Sequence, residues 1–328
     1  MNNKKIIKWG IIGCGKIAHK FAEDLITIPN AKLQAVASRN LGKAEEFGHT
    51  YETSACYGSY EELSKDPNIE VVYIATPHVF HYQNTLMCIH QGKAVLCEKP
   101  FAMNIKQVEE MIAVAKQKKV FLMEALWTYF LPHYQYALDL ITSKELGDVK
   151  NITADFGFDS TFNPESRLFN KDLGGGSLLD VGIYPLFAAL SILGYPDDIK
   201  AEAFFGNTEV DETCTMELQY KNGTTARLFS AITQKTATEA IIELEKGTIV
   251  INSRFHEPSS VTVIKNDVSE LKEFMVSTNG YSFEAIHVQE MLLQNRTEST
   301  LMTFRKSLHL IKLLDTVRER IGLYYDNH

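Results

Sequence analysis

The feature that most constrains this chain is a glycine-rich turn directly after its first apolar run. Residues 6–12 are rich in isoleucine, and a GxGxxA pattern follows at residues 13–18. Between a strand and a helix, the first glycine permits a tight turn, the second lets backbone approach a pyrophosphate, and the small last residue lets helix pack on strand. The helix N-terminus then offers free N–H groups to phosphates. The pattern predicts dinucleotide binding, with a purely structural βα turn as the alternative; the candidate residues are Gly13, Cys14, Gly15, Lys16 and Ile17.

Short β-rich runs alternate with helical stretches from residue 6 to about residue 125. Helical stretches are recognised by apolar residues at three- and four-residue spacing between turn or capping residues. Repeated βα units indicate a parallel sheet covered by helices on both faces. The predicted strands are 6–12, 33–37, 71–75, 94–97 and 120–123, and the predicted helices are 17–28, 41–48, 60–65, 81–91 and 105–118.

After about Gly147 the pattern changes to strands joined by short links. The Asn222-Gly223 pair is a hairpin signal, and Lys246-Gly247 marks a second tight turn. These features predict a large, mostly antiparallel, open-faced sheet. The predicted strands are 148–159, 201–206, 213–220, 224–233, 238–245, 248–252 and 260–264, and the predicted helices are 177–193, 281–295 and 303–321.

The length of 328 residues predicts two domains, at about 150 residues each. We assign residues 1–124 to a Rossmann domain and 125–328 to an α/β domain that binds substrate and mediates dimerisation. A sheet face that helices leave uncovered calls for a partner, so we expect a homodimer or a dimer of dimers.

Composition excludes several classes of protein. Acidic residues outnumber basic ones by 41 to 33, for a net charge of -8, and no basic block stands out, so a nucleic-acid partner is not expected. No apolar run approaches the roughly 20 residues of a membrane helix, and the charged N-terminus does not resemble a signal peptide. Five cysteines without a CxxC pair fit neither a disulfide framework nor a zinc site. We expect a cytoplasmic protein.

The end of the second predicted strand bears on cofactor choice. An NAD enzyme usually places an acidic residue there for the ribose hydroxyls, but this chain has Ser38 and Arg39. A planar guanidinium can form a bidentate pair of hydrogen bonds with a 2′-phosphate, and no carboxylate at this strand end would repel that phosphate. Lys43 would add positive charge. NADP(H) is therefore preferred over NAD(H), which remains possible; the alternative is a solvated arginine at a strand end.

Two more strands end in polar segments, at residues 76–81 and 98–100. Open α/β sheets hold their ligands at the carboxyl ends of strands. Lys99 closes an apolar strand, and its ammonium beside a nicotinamide would bind the substrate oxygen and stabilise a developing alkoxide. Two imidazoles, His78 and His81, without a third ligand do not predict a metal site. We expect one histidine on the cofactor and one facing substrate, with capping or core roles equally open.

In the second half, Asp180 and Tyr184 follow a run of three glycines and are four residues apart. That spacing puts both on one face of a helix. A carboxylate and a phenol together can bind a diol and move its proton, and a lysine ammonium nearby would stabilise the phenolate. Taken alone, the pair is more often a helix cap and a packed aromatic.

In these motifs, and over nearly its whole length, the chain resembles the glucose-fructose oxidoreductase, inositol dehydrogenase and rhizopine-catabolism (Gfo/Idh/MocA) family. The matching segments are residues 10–18, 76–81, 92–100 and 174–184. The resemblance implies that Gly147-Asp-Val149 opens the sheet domain and that Lys99 is the shared catalytic residue.

Finer features, residues 57–63, residues 121–128 and Tyr184, are similar to the dimeric dihydrodiol dehydrogenase branch. Many sugar-oxidising members have histidine where Tyr184 stands. The branch is NADP-linked and oxidises trans-dihydrodiols or aldopyranoses. Tyr129 replaces the arginine that follows Trp-Thr in that branch, so the substrate itself is left open.

The sequence therefore predicts an NADP(H)-dependent oxidoreductase that transfers a hydride to or from a secondary hydroxyl of a sugar-like or cyclic vicinal diol. The alternative is a catalytically inactive, cofactor-binding regulatory protein of the same fold. Lys99, Tyr184 and Asp180 are the catalytic candidates. The further cofactor-binding candidates are Ser38, Arg39, Thr76, Pro77, His81, Glu98 and Lys99, and the substrate-binding candidates are His78, Trp127, Arg167, Asp180 and Tyr184.

Overall fold

The computed structural model describes residues 5–325, and the chain divides into two compact units. The first unit comprises the chain up to Trp127 together with Val276–Leu308, and the second comprises Thr128–Met275 and the chain from His309 onward. The domain limits 1–124 and 125–328 stay predictions. In this division, residues 276–308 lie with the first unit, although the sequence assigned them to the second domain.

A six-stranded parallel sheet forms the centre of the first unit. Its strand order is β3-β2-β1-β4-β5-β6, and every neighbouring pair is parallel. Strands β1, β4, β5 and β6 are apolar and almost wholly buried, as a sheet covered on both faces requires. The predicted parallel sheet is confirmed. The strands are β1 Ile7–Ile12, β2 Ala31–Ala37, β3 Ala55–Tyr57, β4 Val71–Ile74, β5 Ala94–Glu98 and β6 Leu122–Ala125.

Helices of the first unit begin where the sequence supplies capping side chains. Asn40, Ser59 and Asn104 each accept a hydrogen bond from the backbone N–H three residues later, at 3.2, 3.2 and 3.0 Å. Asp24 accepts from the backbone N–H of Gly280 and Ser282, at 2.9 and 3.0 Å, and so joins α1 to α8. The helices are α1 Lys16–Leu25, α2 Leu41–Thr50, α3 Tyr60–Lys65, α4 His81–His90, α5 Ile105–Lys118 and α8 Tyr281–Leu293.

An eight-stranded sheet forms the second unit, in the order β14-β13-β12-β11-β7-β10-β9-β8. All neighbours are antiparallel except β7 and β10, which pair in parallel at the centre. The predicted mostly antiparallel sheet is confirmed. Its strands are β7 Val149–Gly157, β8 Asp198–Phe205, β9 Asp211–Gln219, β10 Thr225–Ala231, β11 Ala240–Leu244, β12 Gly247–Ile251, β13 Val261–Lys265 and β14 Val268–Lys272.

The two faces of this sheet differ in burial. Helix α7, Ile183–Leu193, packs on β7 and β10, and α6, Pro132–Ser143, packs on β12. Along the central strands, buried apolar residues alternate with exposed or half-buried ones on the opposite face. The buried set includes Ile152, Met216, Leu228 and Ile242, and the opposite face carries Thr153, Thr215, Arg227 and Glu243. Helix α9, Phe304–Ile321, runs from the residues of the first unit into those of the second.

One stretch, Lys171–Leu193, is long and apolar enough to cross a membrane, although the sequence analysis expected no apolar run of that length. Of its most apolar window, 83% is buried inside the protein. Such burial is typical of a core helix.

Candidate active site

The turn after β1 requires glycine at its first position. Gly13 has φ +97°, a left-handed conformation, and an added Cβ would lie 2.7 Å from the carbonyl oxygen of Ala75. At Gly15, the residue before α1, an added Cβ would meet no atom within 4 Å. The first glycine therefore shapes the turn, and the second leaves open space beside the backbone.

The start of α1 fits a phosphate group. No side chain caps its first N–H groups, and Lys16 and Ile17 form its first two positions. Burial raises the pKa of the Cys14 thiol to about 11, so this side chain adds no negative charge to the turn. The turn therefore suits the pyrophosphate of a dinucleotide.

At the end of β2, aromatic side chains hold Arg39 in place. Its guanidinium lies 5.4 Å from the centre of the Phe80 ring. Burial raises the pKa of the Tyr60 hydroxyl, and the charge of Arg39 and its hydrogen bond to that hydroxyl partly offset this. Ser38 accepts a hydrogen bond from the backbone of Asn40 at 3.2 Å. A held guanidinium and a hydroxyl at this strand end suit a 2′-phosphate.

Beyond β4, the chain forms a short 3-10 turn, His78–Phe80, that leads into α4. His78 is buried, and its ring centre lies 5.8 Å from that of His81. Thr76 accepts a hydrogen bond from the Asn84 side chain at 3.1 Å. Both ring nitrogens of His81 lie 2.8 Å from carbonyl oxygens, Nδ1 from that of Pro100 and Nε2 from that of Thr76. His81 thus connects the segments that follow β4 and β5.

Lys99 directly follows β5, and its backbone N–H donates to the Glu98 carboxylate at 3.2 Å. Strands β1, β4 and β5 are neighbours in one parallel sheet, so Gly13, Thr76 and Lys99 follow carboxyl ends at the same edge. The structure therefore brings these candidates of the first unit together. Trp127 is 4% exposed and stacks on Tyr281, with ring centres 4.2 Å apart.

In the second unit, residues 177–193 are helical as predicted, but Asp180 and Tyr184 do not share one regular α-helix. Asp180 lies in a π-helical turn, Leu178–Gly182, and Tyr184 is the second residue of α7. Pro185 has no N–H to donate to the Val181 carbonyl, which disfavours α-helical bonding across this point. Short π-helical turns are frequent at functional sites.

An ion pair and an aromatic cluster surround these two candidates. Arg167 donates to the Asp180 carboxylate at 2.8 Å. The Tyr184 ring lies 5.1 Å from that of His256 and 5.6 Å from that of Phe156, and these two rings stack at 4.0 Å. Sequence reasoning missed His256, since only the fold brings residues 156, 184 and 256 together. Tyr129 lies elsewhere in the core, edge-on to Phe187 at 5.2 Å.

A buried aspartate anchors the π-helical turn. Asp211 is fully buried and accepts hydrogen bonds from the Ser177 hydroxyl at 2.8 Å and the Leu178 N–H at 2.7 Å. Gly176 passes so close that an added Cβ would lie 2.1 Å from an Asp211 oxygen. Burial raises the pKa of Asp211 to about 7. From the C-terminal segment, Tyr325 donates to the Gly175 carbonyl at 2.6 Å.

Within residues 5–325, no cluster of three or more histidine, cysteine, aspartate or glutamate side chains has metal-binding geometry. All five cysteines are free thiols.

Comparison with known proteins gives full-length matches. The family model described as "Oxidoreductase family, NAD-binding Rossmann fold" matches residues 7–126, and the model for the GFO/IDH/MocA C-terminal domain matches residues 134–250. A trans-1,2-dihydrobenzene-1,2-diol dehydrogenase of Xenopus tropicalis is 40% identical, and the match covers 97% of this chain and 99% of the relative.

Solved structures agree on the fold. A 3-ketoreductase from Actinomadura kijaniata, in complex with NADP and TDP-benzene, is 25% identical with a TM-score of 0.86 over 97% of this chain and 98% of the other. An aldose-aldose oxidoreductase from Caulobacter crescentus, complexed with glycerol, is 23% identical with a TM-score of 0.89 over the same shares. The predicted fold class and the predicted class of NAD(P)-dependent oxidoreductase are confirmed. The chain belongs to the Gfo/Idh/MocA family of oxidoreductases.

Proposed function

We propose that the protein transfers a hydride between NADP(H) and a secondary hydroxyl of a cyclic vicinal diol or sugar-like substrate. The observation that carries this proposal is the shared sheet edge in the first unit, where Lys99 follows β5 and the glycine turn follows β1, with β4 between the two strands. Relatives named trans-1,2-dihydrobenzene-1,2-diol dehydrogenase support a diol, and the aldose-aldose oxidoreductase has the same fold.

The first unit supplies the groups that would hold NADP. The uncapped N-terminus of α1 would bind the pyrophosphate. Arg39, held against Phe80, would bind the 2′-phosphate, and Ser38 would add a hydroxyl. The oxidised nicotinamide, when bound, supplies a hydride acceptor.

Three side chains would act on the hydroxyl groups of the substrate. The Lys99 ammonium binds the hydroxyl oxygen and stabilises the negative charge that develops as the adjacent carbon loses its hydride. Tyr184, as the phenolate, takes the hydroxyl proton as general base, and as the phenol it returns that proton in the reverse direction. Asp180, oriented by Arg167, accepts a hydrogen bond from the neighbouring hydroxyl of the diol.

The test begins with the absorbance of NADPH at 340 nm, using aldoses, polyols and trans-dihydrodiols with both NADP and NAD. Loss of one positioned acid–base group costs about 100- to 10,000-fold in rate. Lys99→Ala and Tyr184→Phe should each lower kcat by that order while NADP affinity stays nearly unchanged, and Asp180→Ala should mainly raise KM.

The matched control for Tyr184→Phe is Tyr220→Phe, which removes a hydroxyl bonded to the Gly194 carbonyl at 3.2 Å. It should leave kcat unchanged. NADP binding without turnover of any substrate would replace the proposed enzyme with the regulatory alternative. Full turnover by Tyr184→Phe would remove the tyrosine from the proton-transfer step.

We also propose that two copies pair through the less buried face of the eight-stranded sheet. This face combines apolar Ile241 and Val250, both half-buried, with Phe204, which is 63% exposed. Sedimentation should give a dimer or a dimer of dimers, and a monomer at micromolar concentration would contradict this. The free cysteines suit a reducing compartment, so we propose the cytoplasm as its location, to be checked by cell fractionation.

A further inference from the structure

Side chains hold the backbone on both sides of Lys99. The Lys99 N–H donates to the Glu98 carboxylate at 3.2 Å, and the Phe101 N–H donates to Glu124 at 3.0 Å. Between them, the Pro100 carbonyl accepts from His81 at 2.8 Å. The position of the lysine therefore depends on buried polar side chains of β5, β6 and α4.

Glu98 is in turn held by Tyr73, whose hydroxyl donates to the other Glu98 oxygen. Tyr73 lies on β4, next to β5 in the sheet, and is fully buried. Its ring stacks on Phe21, with centres 3.8 Å apart and planes at 12°. The Glu98 carboxylate thus bridges a rigidly packed phenol and the backbone of Lys99.

The ionisable groups around Glu98 come from each neighbouring element. They are Tyr73 on β4, Cys97 on β5, Lys99 after it, Glu124 on β6, and Tyr281 and Glu284 on α8, with Asp24 of α1 behind Glu284. Burial raises the pKa of Tyr73, Cys97 and Glu284 well above their ordinary values and that of Glu124 to about 7. Burial therefore favours the neutral forms of the phenol, the thiol and the Glu284 carboxyl.

Glu284 and Glu98 differ in their hydrogen bonds. Neither carboxyl oxygen of the fully buried Glu284 has a hydrogen-bond partner in the described part of the chain. Both oxygens of Glu98 accept hydrogen bonds, one from the Tyr73 hydroxyl and the other from the Lys99 N–H. Hydrogen bonds to a carboxylate stabilise its charged form, and a buried charge without them is costly. Of these two carboxyl groups, Glu98 is therefore the one better able to carry a negative charge.

Building on the proposed function, we propose that Tyr73 is a positioning residue for Lys99. Its hydroxyl holds the ionised Glu98, and Glu98 holds the lysine's backbone at the end of β5. Small displacements of a reacting group are costly, about 100-fold in rate for about 1 Å. Loss of the Tyr73 hydroxyl would remove one hydrogen bond that fixes the Glu98 carboxylate and would make its protonation easier.

The test compares Tyr73→Phe with Tyr134→Phe. Tyr134 is also fully buried and lies in the second unit. Tyr134→Phe removes one hydroxyl, which is hydrogen-bonded to the Ser191 hydroxyl at 2.7 Å. Both variants should lose similar thermal stability. Only Tyr73→Phe should lower kcat, by at least about tenfold, and move the acid limb of the kcat profile to higher pH, by about one unit. Its affinity for NADP should change less than about twofold, because the substitution leaves the phosphate-binding groups intact.

Two further variants keep the outcome clear. Burial favours the neutral form of the Glu284 carboxyl, and Glu284→Gln puts a neutral amide of similar shape in its place, so kcat and its acid limb should not move. A shift in this variant as large as in Tyr73→Phe would overturn the role given to Glu98. If Tyr73→Phe does not fold, Glu98→Gln replaces it, and its kcat should be low at every pH.

The failure of this inference is distinguishable from that of the proposed function. If the wild-type protein transfers no hydride with any substrate, the proposed function fails. If the wild type turns over and Tyr73→Phe matches Tyr134→Phe in kcat and in pH profile, Tyr73 has only a packing role.

Discussion

Asp211→Asn tests how the π-helical turn that carries Asp180 is held. Asp211 accepts from Ser177 and Leu178 through one oxygen, and its other oxygen lies beside Gly176 without a hydrogen-bond partner among the described residues. An asparagine carbonyl can accept both bonds. The substitution therefore removes a titratable group and keeps the anchor.

The expected effect follows from the proton affinity of Asp211. Burial raises its pKa from the ordinary 3.8 to about 7, so the folded protein binds this proton more tightly than the unfolded chain. The free energy of unfolding is then highest below about pH 4 and falls as pH rises to about 7. Full ionisation costs roughly 4 kcal/mol, at about 1.4 kcal/mol per tenfold change in proton affinity. Roughly 2.5 kcal/mol of this is lost between about pH 5 and pH 8.

Urea unfolding followed by circular dichroism at about pH 5 and pH 8 measures this loss. Tryptophan fluorescence is unsuitable, because Trp9 and Trp127 both lie in the first unit. Glu124 titrates in both proteins and cancels in the difference. Relative to Asp211→Asn, the wild type should lose about 2.5 kcal/mol on going to the higher pH. Parallel pH dependence of the two proteins would refute the reasoning.

Two predictions concern the cofactor. Arg39→Ala should weaken NADP binding at least tenfold, because it removes charge-assisted hydrogen bonds worth about 1.5–3 kcal/mol. It should leave NAD binding nearly unchanged. Equal affinity of the wild type for NADP and NAD in a fluorescence titration would contradict this prediction. Gly13→Ala should destabilise the first unit by about 1–3 kcal/mol and weaken both cofactors, because its Cβ would meet the Ala75 carbonyl at 2.7 Å with φ at +97°. Unchanged melting temperature and binding would show that the turn can relax.

Most elements were predictable because their periodicity reflects burial. The runs that became β1, β4, β5 and β6 are mostly apolar, and they are buried on both faces of a parallel sheet. In the second unit, the Asn-Gly pair at 222–223 lies in the turn between β9 and β10, as the hairpin signal predicts.

Two of the strands that were missed are short or exposed. Strand β3 has three half-buried residues, and every residue of β14 is exposed, so neither shows an apolar pattern. The turn before β14 left a signal, since Asn266 and Asp267 both adopt positive φ, as residue pairs in tight hairpins do. Helix α6 also left a signal, because Pro132 stands at its first position. The parallel pairing of β7 with β10 could not be predicted from hairpin rules.

The candidate site was predictable only where chemistry lies at strand ends or in glycine-rich turns. Lys99, Arg39 and Asp180 are recognisable in the sequence because each is a charged residue at the end of a predicted strand or after a glycine run. Tyr73 and Asp211 do not, because an isolated buried tyrosine or aspartate in a strand carries no local signal. Their roles depend on contacts with residues 25 and 33–34 positions away.

His81 can be tested for two roles, cofactor binding and positioning of the backbone. The sequence predicted that it binds the cofactor, whereas the structure gives both of its ring nitrogens partners within the protein. Carbonyl oxygens only accept hydrogen bonds, so Nδ1 and Nε2 can both donate only when the imidazole is doubly protonated. The His81 ring connects the Thr76 segment, which would contact the cofactor, to the Lys99 segment, which would contact the substrate. His81→Gln removes the ring that contacts both carbonyl oxygens, so it should weaken NADP binding and lower kcat together, each by about tenfold. A residue that touches only the cofactor would change the dissociation constant for NADP and leave kcat at saturating cofactor unchanged. That result, measured beside Arg39→Ala, would return His81 to the cofactor-binding group and show that the two segments are positioned independently.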